Sequence, residues 1–216
     1  MHMKPRFFLV SRMPLAAKSA TAPIGVDLEA CPPVLLYTSV SSTRMFTLRF
    51  CATTWSTPIG AVALFAAAGK KMTKKNLGFM CMSYGSVYVA SIAMGANRQQ
   101  TLTAIREAEA HKGPSIILAY APCMLHGINM TKSQVEQKRA VEAGYWPLYR
   151  YNPDAEKPFV WETKDASASY QEFILSENRY KQLLKANPDN AQALFDAAEE
   201  SAKRRMEFYK KVGEIF

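Results

Sequence analysis

The sequence predicts an α/β fold in which a parallel sheet has helices on both faces and is followed by a helical C-terminal extension. Two uncharged stretches carry this prediction, "VYVASIAM" at residues 87–94 and "PSIILAYAP" at residues 114–122. Both are rich in β-branched, aliphatic and aromatic residues, as buried strands are. A helical pattern separates them, and strand, helix, strand at this spacing indicates a right-handed crossover between parallel neighbours.

Length and composition indicate one domain, or one domain with an appendage. The chain has 216 residues, of which 49% are hydrophobic and 21% charged, so it can bury a core. Its net charge of +9 would suit nucleic acid, a membrane surface, a phosphate-bearing cofactor or an acidic protein. The basic residues are dispersed, however, so we expect neither a nucleic-acid nor a membrane partner. The longest apolar run, residues 58–69, has about 12 residues, against roughly 20 for a membrane span.

The cysteine content indicates a reducing compartment. Four cysteines are too few and too widely spaced for a disulfide framework or a compact zinc motif, and 11 methionines accompany them. We therefore expect a cytoplasmic protein. Residues 3–23 contain basic residues and no acidic residue, as a mitochondrial presequence does. A mitochondrion-related organelle is therefore the alternative location. Pro5, Pro14 and Pro23 interrupt the helix that such a presequence needs.

The remaining elements follow in order. Residues 1–55 show no sustained period and are predicted to be irregular. "PIGAVALFAAAGKK" predicts a helix that begins at Pro58 and ends at Gly69. "NRQQTLTAIREAEAHKG" predicts a helix with Leu102, Ile105 and Ala108 on one face and a stop at Gly113.

The C-terminal part is predicted to be mainly helical. "TKSQVEQKRAVEAGYW" predicts a helix with Thr131 or Ser133 as its N-cap, and "WPLYRYNP" predicts the start of a loop. Two more helices are expected at about 170–186 and 190–212, separated by "NPD". The predicted organisation is therefore an α/β domain at 56–130 and an extension at 131–216.

Several familiar motifs are absent. "AAAGKKMT" is not a phosphate-binding loop, because Leu64 and Lys71 stand where glycine and Ser or Thr are required. No G-x-G-x-x-G occurs. "NPDNAQALFDAAEESAKRR" resembles one tetratricopeptide helix, whereas a solenoid needs at least three repeats.

Cys123 and His126 follow the second predicted strand at its carboxyl end, where ligands gather in open α/β sheets. A single cysteine at a strand end is most often a small buried apolar residue, and the Cys/His spacing is a weak zinc signal. An iron–sulfur ligand would need three more thiolates. From the residues alone, both a structural role and a ligand role stay open.

A family resemblance favours the ligand role. The blocks "STPIGAVALFAAAGKK", "MSYGSVYVASIAMGAN", "AEAHKGPSIILAYAPC" and "QKRAVEAGYWPLYRYNP" together resemble the C-terminal portion of the pyruvate:ferredoxin (flavodoxin) oxidoreductases, which depend on thiamine diphosphate. The resemblance runs from about Ser56 to Phe216. It implies a partial thiamine-diphosphate-binding type of α/β domain.

The resemblance also implies a site. In that family the cysteine of the "YAPC" block is one of four ligands of the [4Fe-4S] cluster nearest the thiamine, and Cys123 matches it. The complete enzyme uses thiamine diphosphate, Mg²⁺, pyruvate and coenzyme A, passes electrons to ferredoxin or flavodoxin, and forms a homodimer. His126 matches a family position, to which we assign only the shape of the turn.

This chain departs from the family upstream. Where the family has Gly-Asp-Gly and Asn-Thr-Gly-Gly-Gln segments for Mg²⁺ and the diphosphate, this chain has "MFTLRFCATTW". The other three cluster ligands have no counterpart. We therefore expect no catalytic residue in this chain, and no activity from it alone. The alternative is a non-catalytic remnant that acts as an interaction or structural module.

Overall fold

The structure is a computed structural model. It describes residues 58–62 and 66–215, together with the backbone of three short strands nearer the N-terminus. These strands are β1 (Phe8–Val10), β2 (Val34–Tyr37) and β3 (Phe46–Leu48). β1 is parallel to β2, and β2 is antiparallel to β3. The rest of residues 1–57 lies outside the described residues, including most of the possible presequence.

A second sheet forms the centre of the described chain. It contains β4 (Tyr88–Ile92), β5 (Ser115–Ala119), β6 (Tyr149–Tyr151) and β7 (Phe159–Trp161), in the order β5-β4-β6-β7. β4 and β5 are parallel neighbours in continuous register, so the predicted strand pair is confirmed. β6 is antiparallel to β4, and β7 is antiparallel to β6. The sheet is therefore mixed, and the prediction of a parallel sheet is wrong.

The missed strand β6 lies within "WPLYRYNP", where we expected a loop. Tyr149 and Tyr151 are buried on one face of the sheet, and Arg150 between them lies on the other. Three residues are too few for a period of two to be recognised, and Pro147 just before them favours a loop in sequence-based reasoning. What makes this segment a strand is its pairing with β4, a tertiary effect.

The helix that connects β4 to β5 is α2 (Arg98–Ala110), and α1 (Leu77–Met82) precedes it. Asn97 caps α2 by accepting a hydrogen bond from the backbone N–H of Gln100. The helix is confirmed, but of the three residues predicted to form its apolar face only Ala108 is buried. Leu102 and Ile105 are 50% and 45% exposed, whereas Gln100, Thr101, Ala104 and Ala108 face the sheet.

The helix expected at 58–69 is not found in the described residues of this segment. The backbone N–H of Gly60 donates to the carbonyl of Lys70, and that of Lys70 donates to the carbonyl of Ala61, so the two ends of the segment pair with each other. Gly60 and Gly69 have φ angles of 77° and 86°, which glycine adopts readily and an α-helix excludes. The alanine-rich composition of residues 58–69 predicts a helix, but the turns at Gly60 and Gly69 exclude one.

The C-terminal helices are α3 (Ser133–Glu142), α4 (Tyr170–Leu175), α5 (Asn178–Ala186) and α6 (Pro188–Ile215). The helix expected at 170–186 is thus broken at Ser176 and Glu177. No side chain caps α3. Instead, Asn129 accepts from the N–H of Thr131 at the start of a preceding 3-10 turn, Met130–Lys132.

Helices cover both faces of the sheet, as predicted. Tyr88, Ala90 and Ile117 pack against Ala104 and Ala108 of α2. On the opposite face, α1 and α6 pack against β6, and a larger cluster joins β5 to α3–α6. The division of the chain at residue 130 stays a prediction. Among the described residues, no helix combines the length and apolarity that crossing a membrane requires.

Candidate functional site around Cys123

Cys123 lies just beyond the carboxyl end of β5. Past the last strand residue, Tyr120 still donates its backbone N–H to the carbonyl of Ile92, at 3.0 Å. Cys123 itself is extended, with φ −127° and ψ 135°, and a 3-10 turn, Met124–His126, follows it. The carbonyl of Cys123 accepts from the N–H of His126 at 3.0 Å. Sheet pairing on one side and this turn on the other therefore fix the backbone of Cys123.

The side chain of Cys123 is 8% exposed. If Cys123 is a cluster ligand whose covering partners are missing from this chain, its sulfur is expected to face an open cavity, and the burial of the residue does not agree with that expectation. If Cys123 has a structural role, aliphatic side chains are expected to surround it. The three apolar clusters of the described residues do not include Cys123. Cys123 is nevertheless one of the buried hydrophobic residues of the described chain.

A buried polar network lies under the turn that follows Cys123. Its centre is Glu177, whose side chain is fully buried at the start of α5. Arg179 donates from Nε to Glu177, and from Nη2 to the hydroxyl of Tyr145 at 3.0 Å. The hydroxyl of Tyr120 donates to the other Glu177 oxygen at 3.4 Å. Because buried charges are costly unless paired and hydrogen-bonded, this network holds Glu177 in place.

His126 connects the turn to this network. Its Nδ1 atom lies 3.8 Å from a carboxylate oxygen of Glu177. Burial, reinforced by the nearby positive charge of Arg179, lowers the pKa of His126 to about 3. The imidazole is therefore neutral at neutral pH, and Arg179 is the cation that compensates Glu177. This placement agrees with a role for His126 in shaping the turn.

The turn also packs closely on α5. Gly127 ends it with a φ of 79°, and a Cβ atom there would lie 2.6 Å from the Asn178 side chain. Only glycine combines this backbone conformation with this approach. Helix α5 therefore sets the position of the turn, and through it that of Cys123.

The described residues do not form a complete cluster site. A [4Fe-4S] cluster takes four cysteine thiolates, and among the described side chains no group of three or more His, Cys, Asp or Glu is placed to hold a metal. Cys81 lies in a separate apolar cluster with Tyr149 and Tyr209, and burial raises the pKa of its thiol. Cys31 and Cys51 lie outside the described residues. This part of the chain can supply one ligand, Cys123.

Sequence reasoning missed Glu177 and Arg179. Both were assigned to the interior of one continuous helix, where charged residues usually face solvent. The signal lay in "SEN", because Ser176 and Asn178 are residue types that favour caps and turns over helix interiors. A helix start at this point brings the two charges inward.

No family model matches the chain. It is 56% identical over 163 residues to pyruvate:ferredoxin oxidoreductase of Moorella thermoacetica, and 51% identical over 163 residues to pyruvate-flavodoxin oxidoreductase of Klebsiella pneumoniae. The chain is similar to pyruvate oxidoreductases. A more distant relative, pyruvate dehydrogenase [NADP(+)] of Cryptosporidium parvum, is 40% identical over 173 residues.

The similarity covers most of this chain and a small part of each relative. The match to the Moorella and Klebsiella oxidoreductases takes in 74% and 73% of this chain but 14% of either relative. For the Cryptosporidium protein the shares are 74% and 9%. The chain therefore corresponds to about one seventh of the pyruvate:ferredoxin and pyruvate-flavodoxin oxidoreductases it matches.

Proposed function

We propose that this chain supplies the C-terminal part of a pyruvate:ferredoxin or pyruvate:flavodoxin oxidoreductase, and that Cys123 is one of four ligands of a [4Fe-4S] cluster. The complete enzyme would decarboxylate pyruvate oxidatively with coenzyme A, with thiamine diphosphate and Mg²⁺ held elsewhere. It would work as a homodimer in the cytoplasm or in a mitochondrion-related organelle. The identity of 56% to the Moorella oxidoreductase is the observation that carries this proposal.

The setting of Cys123 supports the ligand role. A cluster ligand must hold a fixed position, and sheet pairing on one side and a 3-10 turn on the other fix the backbone of Cys123. The turn that ends at His126 and the Glu177–Arg179 pair beneath it hold Cys123 in place. The other three thiolates and the groups that bind the diphosphate would have to come from the rest of the complete enzyme.

Exposed apolar side chains support a place within a larger protein. Leu102 and Ile105 lie three residues apart on α2, where they share one face and are about half exposed. Phe79 and Phe208 pack edge to face, with ring centroids 4.8 Å apart, and both are partly exposed. Such side chains are commonly covered in an assembly.

A chimeric enzyme tests the proposal. Residues 56–216 would replace the matching segment of the Moorella oxidoreductase, and coenzyme-A-dependent reduction of a viologen dye by pyruvate would be measured. We expect an active chimera and no activity from this chain alone, because one thiolate cannot assemble the site. Activity of this chain alone would contradict the proposal, as would a chimera that folds, binds thiamine diphosphate and is inactive.

A further inference from the structure

Strand β5 is the end strand of the central sheet. In the order β5-β4-β6-β7 it pairs with β4 along one side, and its other side is the outer edge of the sheet. Both faces of β5 are covered, since Ile117 packs against α2 and Leu118 belongs to the larger cluster that joins β5 to α3–α6. Because the faces are occupied, the outer edge is where a further strand can join this sheet.

The backbone groups of β5 alternate between β4 and this outer edge. Just past the strand, the N–H of Tyr120 donates to the carbonyl of Ile92 in β4, at 3.0 Å. Because the direction repeats every second residue, the even-numbered residues of β5 bond to β4. The residues whose N–H and carbonyl groups point to the outer edge are therefore Ser115, Ile117 and Ala119.

The sequence of β5 lacks the features that protect an exposed edge. It reads "SIILA", without a charged residue or a proline. At the opposite edge of the sheet, β7 is 3 residues long, follows Lys157 and Pro158, and is followed by Glu162. Short strands, charges and prolines are the means by which natural sheets avoid pairing with other chains. The sequence therefore protects β7, whereas β5 needs a cover.

The N-terminal strand β1 is placed to provide this cover. Each Cα atom of β1 lies within 8 Å of a Cα atom of β5. Stacked sheets are about 10 Å apart and neighbouring strands about 4.8 Å apart, so β1 lies beside β5 and not over its face. Strand β1 is also the end strand of its own sheet, in the order β1-β2-β3. The edges of two sheets therefore meet here.

We propose that the outer edge of β5 is a binding site for an extended strand, and that β1 of the same chain occupies it as an intramolecular cap. Backbone hydrogen bonds between β1 and β5 join the two sheets into one. The cap prevents two copies of the chain from pairing through their β5 edges. This role of the N-terminal segment is independent of the proposed cluster at Cys123.

Nuclear magnetic resonance of the purified wild-type chain tests the contact without any substitution. Nuclear Overhauser effects should connect backbone protons of β1 with backbone protons of β5, because paired strands lie only about 4.8 Å apart. The amide proton of Ile117, which points to the outer edge, should exchange with solvent at least about tenfold more slowly than an unprotected amide. Absence of these Overhauser effects, or unprotected exchange at Ile117, would overturn the proposal.

Leu9→Pro separates the cap from the rest of the protein. Proline has no N–H to donate and is excluded from strands that pair on both sides, so the variant should release β1 from β5. We expect the amide proton of Ile117 to exchange about tenfold faster than in the wild-type chain, whereas that of Leu118, which bonds to β4, stays protected. Ala20→Pro, which lies between β1 and β2 in the sequence, is the matched control and should change neither rate.

Sedimentation velocity of the same three proteins tests what the cap does. The Leu9→Pro variant should self-associate at protein concentrations where the wild-type chain and Ala20→Pro do not, because its β5 edge is free to pair. Equal association of all three proteins, or unchanged exchange at Ile117 in the Leu9→Pro variant, would overturn the proposal. If Leu9→Pro does not fold, the Overhauser effects and the exchange of Ile117 in the wild-type chain decide.

Discussion

The Nδ1 atom of His126 lies 3.8 Å from a carboxylate oxygen of Glu177, whose side chain is fully buried. This contact joins the turn after Cys123 to the start of α5. Arg179 pairs with the same carboxylate oxygen, and burial together with the charge of Arg179 lowers the pKa of His126, which stays neutral in the folded chain at neutral pH.

The neutral state of His126 predicts a pH dependence of stability. The pKa of His126 falls from 6.5 to about 3 on folding, so the unfolded chain binds one more proton between these two values. The free energy of unfolding should therefore be unaffected by this group above pH 6.5 and decrease as pH falls towards 3. The slope has a maximum of about 1.4 kcal/mol per pH unit. Urea unfolding at several pH values measures it.

His126→Gln provides the control for this slope, because glutamine keeps polar atoms in the turn and does not titrate. The variant should lose the part of the pH dependence that lies between pH 6.5 and 4. An equal slope in both proteins would show that His126 is not buried as a neutral group.

Gly95 predicts a large steric effect at the carboxyl end of β4. A Cβ atom at this position would lie 2.0 Å from the carbonyl oxygen of Gln134, at the start of α3. Gly95→Ala should therefore displace α3 and lower the free energy of unfolding by about 3 kcal/mol. Gly85→Ala is the control. Gly85 has a φ of 71° but nothing within 4 Å of a new Cβ atom, so it should cost about 1–2 kcal/mol. The opposite ranking in chemical unfolding would contradict this packing.

Arg150 joins the sheet to α2 through two acids. From β6 it donates to both carboxylate oxygens of Glu162, at 3.0 and 3.1 Å, and to Glu107 of α2. Burial lowers the pKa of Arg150, but the hydrogen bonds and charges of the two acids raise it by more. Arg150→Met would leave two partly buried carboxylates without their cation. We expect a loss of about 3 kcal/mol in urea unfolding.

The matched control is Lys210→Met, which removes an ion pair with exposed Asp165. Such surface pairs contribute little, so its unfolding midpoint should stay at the wild-type value. Equal destabilisation by both substitutions would mean that the Arg150 cluster acts like a surface ion pair.

The exposed face of α2 predicts tolerance to polar residues. Leu102→Gln and Ile105→Gln should each change the free energy of unfolding by less than about 0.5 kcal/mol, because both side chains are half exposed. Ala104→Leu should destabilise the chain by about 1–3 kcal/mol, because Ala104 is fully buried against the sheet. Thermal or urea unfolding of the three variants compares the two faces, and a larger loss at Leu102 than at Ala104 would contradict the structure.

The sequence predicted the parallel pair β4 and β5 correctly because both strands are uncharged runs that a helix separates. It misassigned most of the inner face of α2. Because this helix lies close to the sheet, alanine, Thr101 and Gln100 occupy that face in place of larger apolar residues. Gln100 satisfies its side chain by donating to the carbonyl of Ser91 at 3.0 Å. Strand β6 and the burial of Glu177 and Arg179 could not be predicted, since β6 depends on pairing with β4, and the two charges depend on hydrogen bonds with the distant Tyr120 and Tyr145.

The assignment of Cys123 as a cluster ligand is the central claim, and electron paramagnetic resonance of the reduced chimeric enzyme tests it most directly. Cys123→Ala should remove the signal of one [4Fe-4S] cluster and lower the iron content by about four atoms per chain, while thiamine diphosphate binding persists. Cys81→Ala, which removes a buried thiol from a separate apolar cluster, should leave all cluster signals in place. A Cys123→Ala chimera that folds and retains every cluster signal would contradict the account.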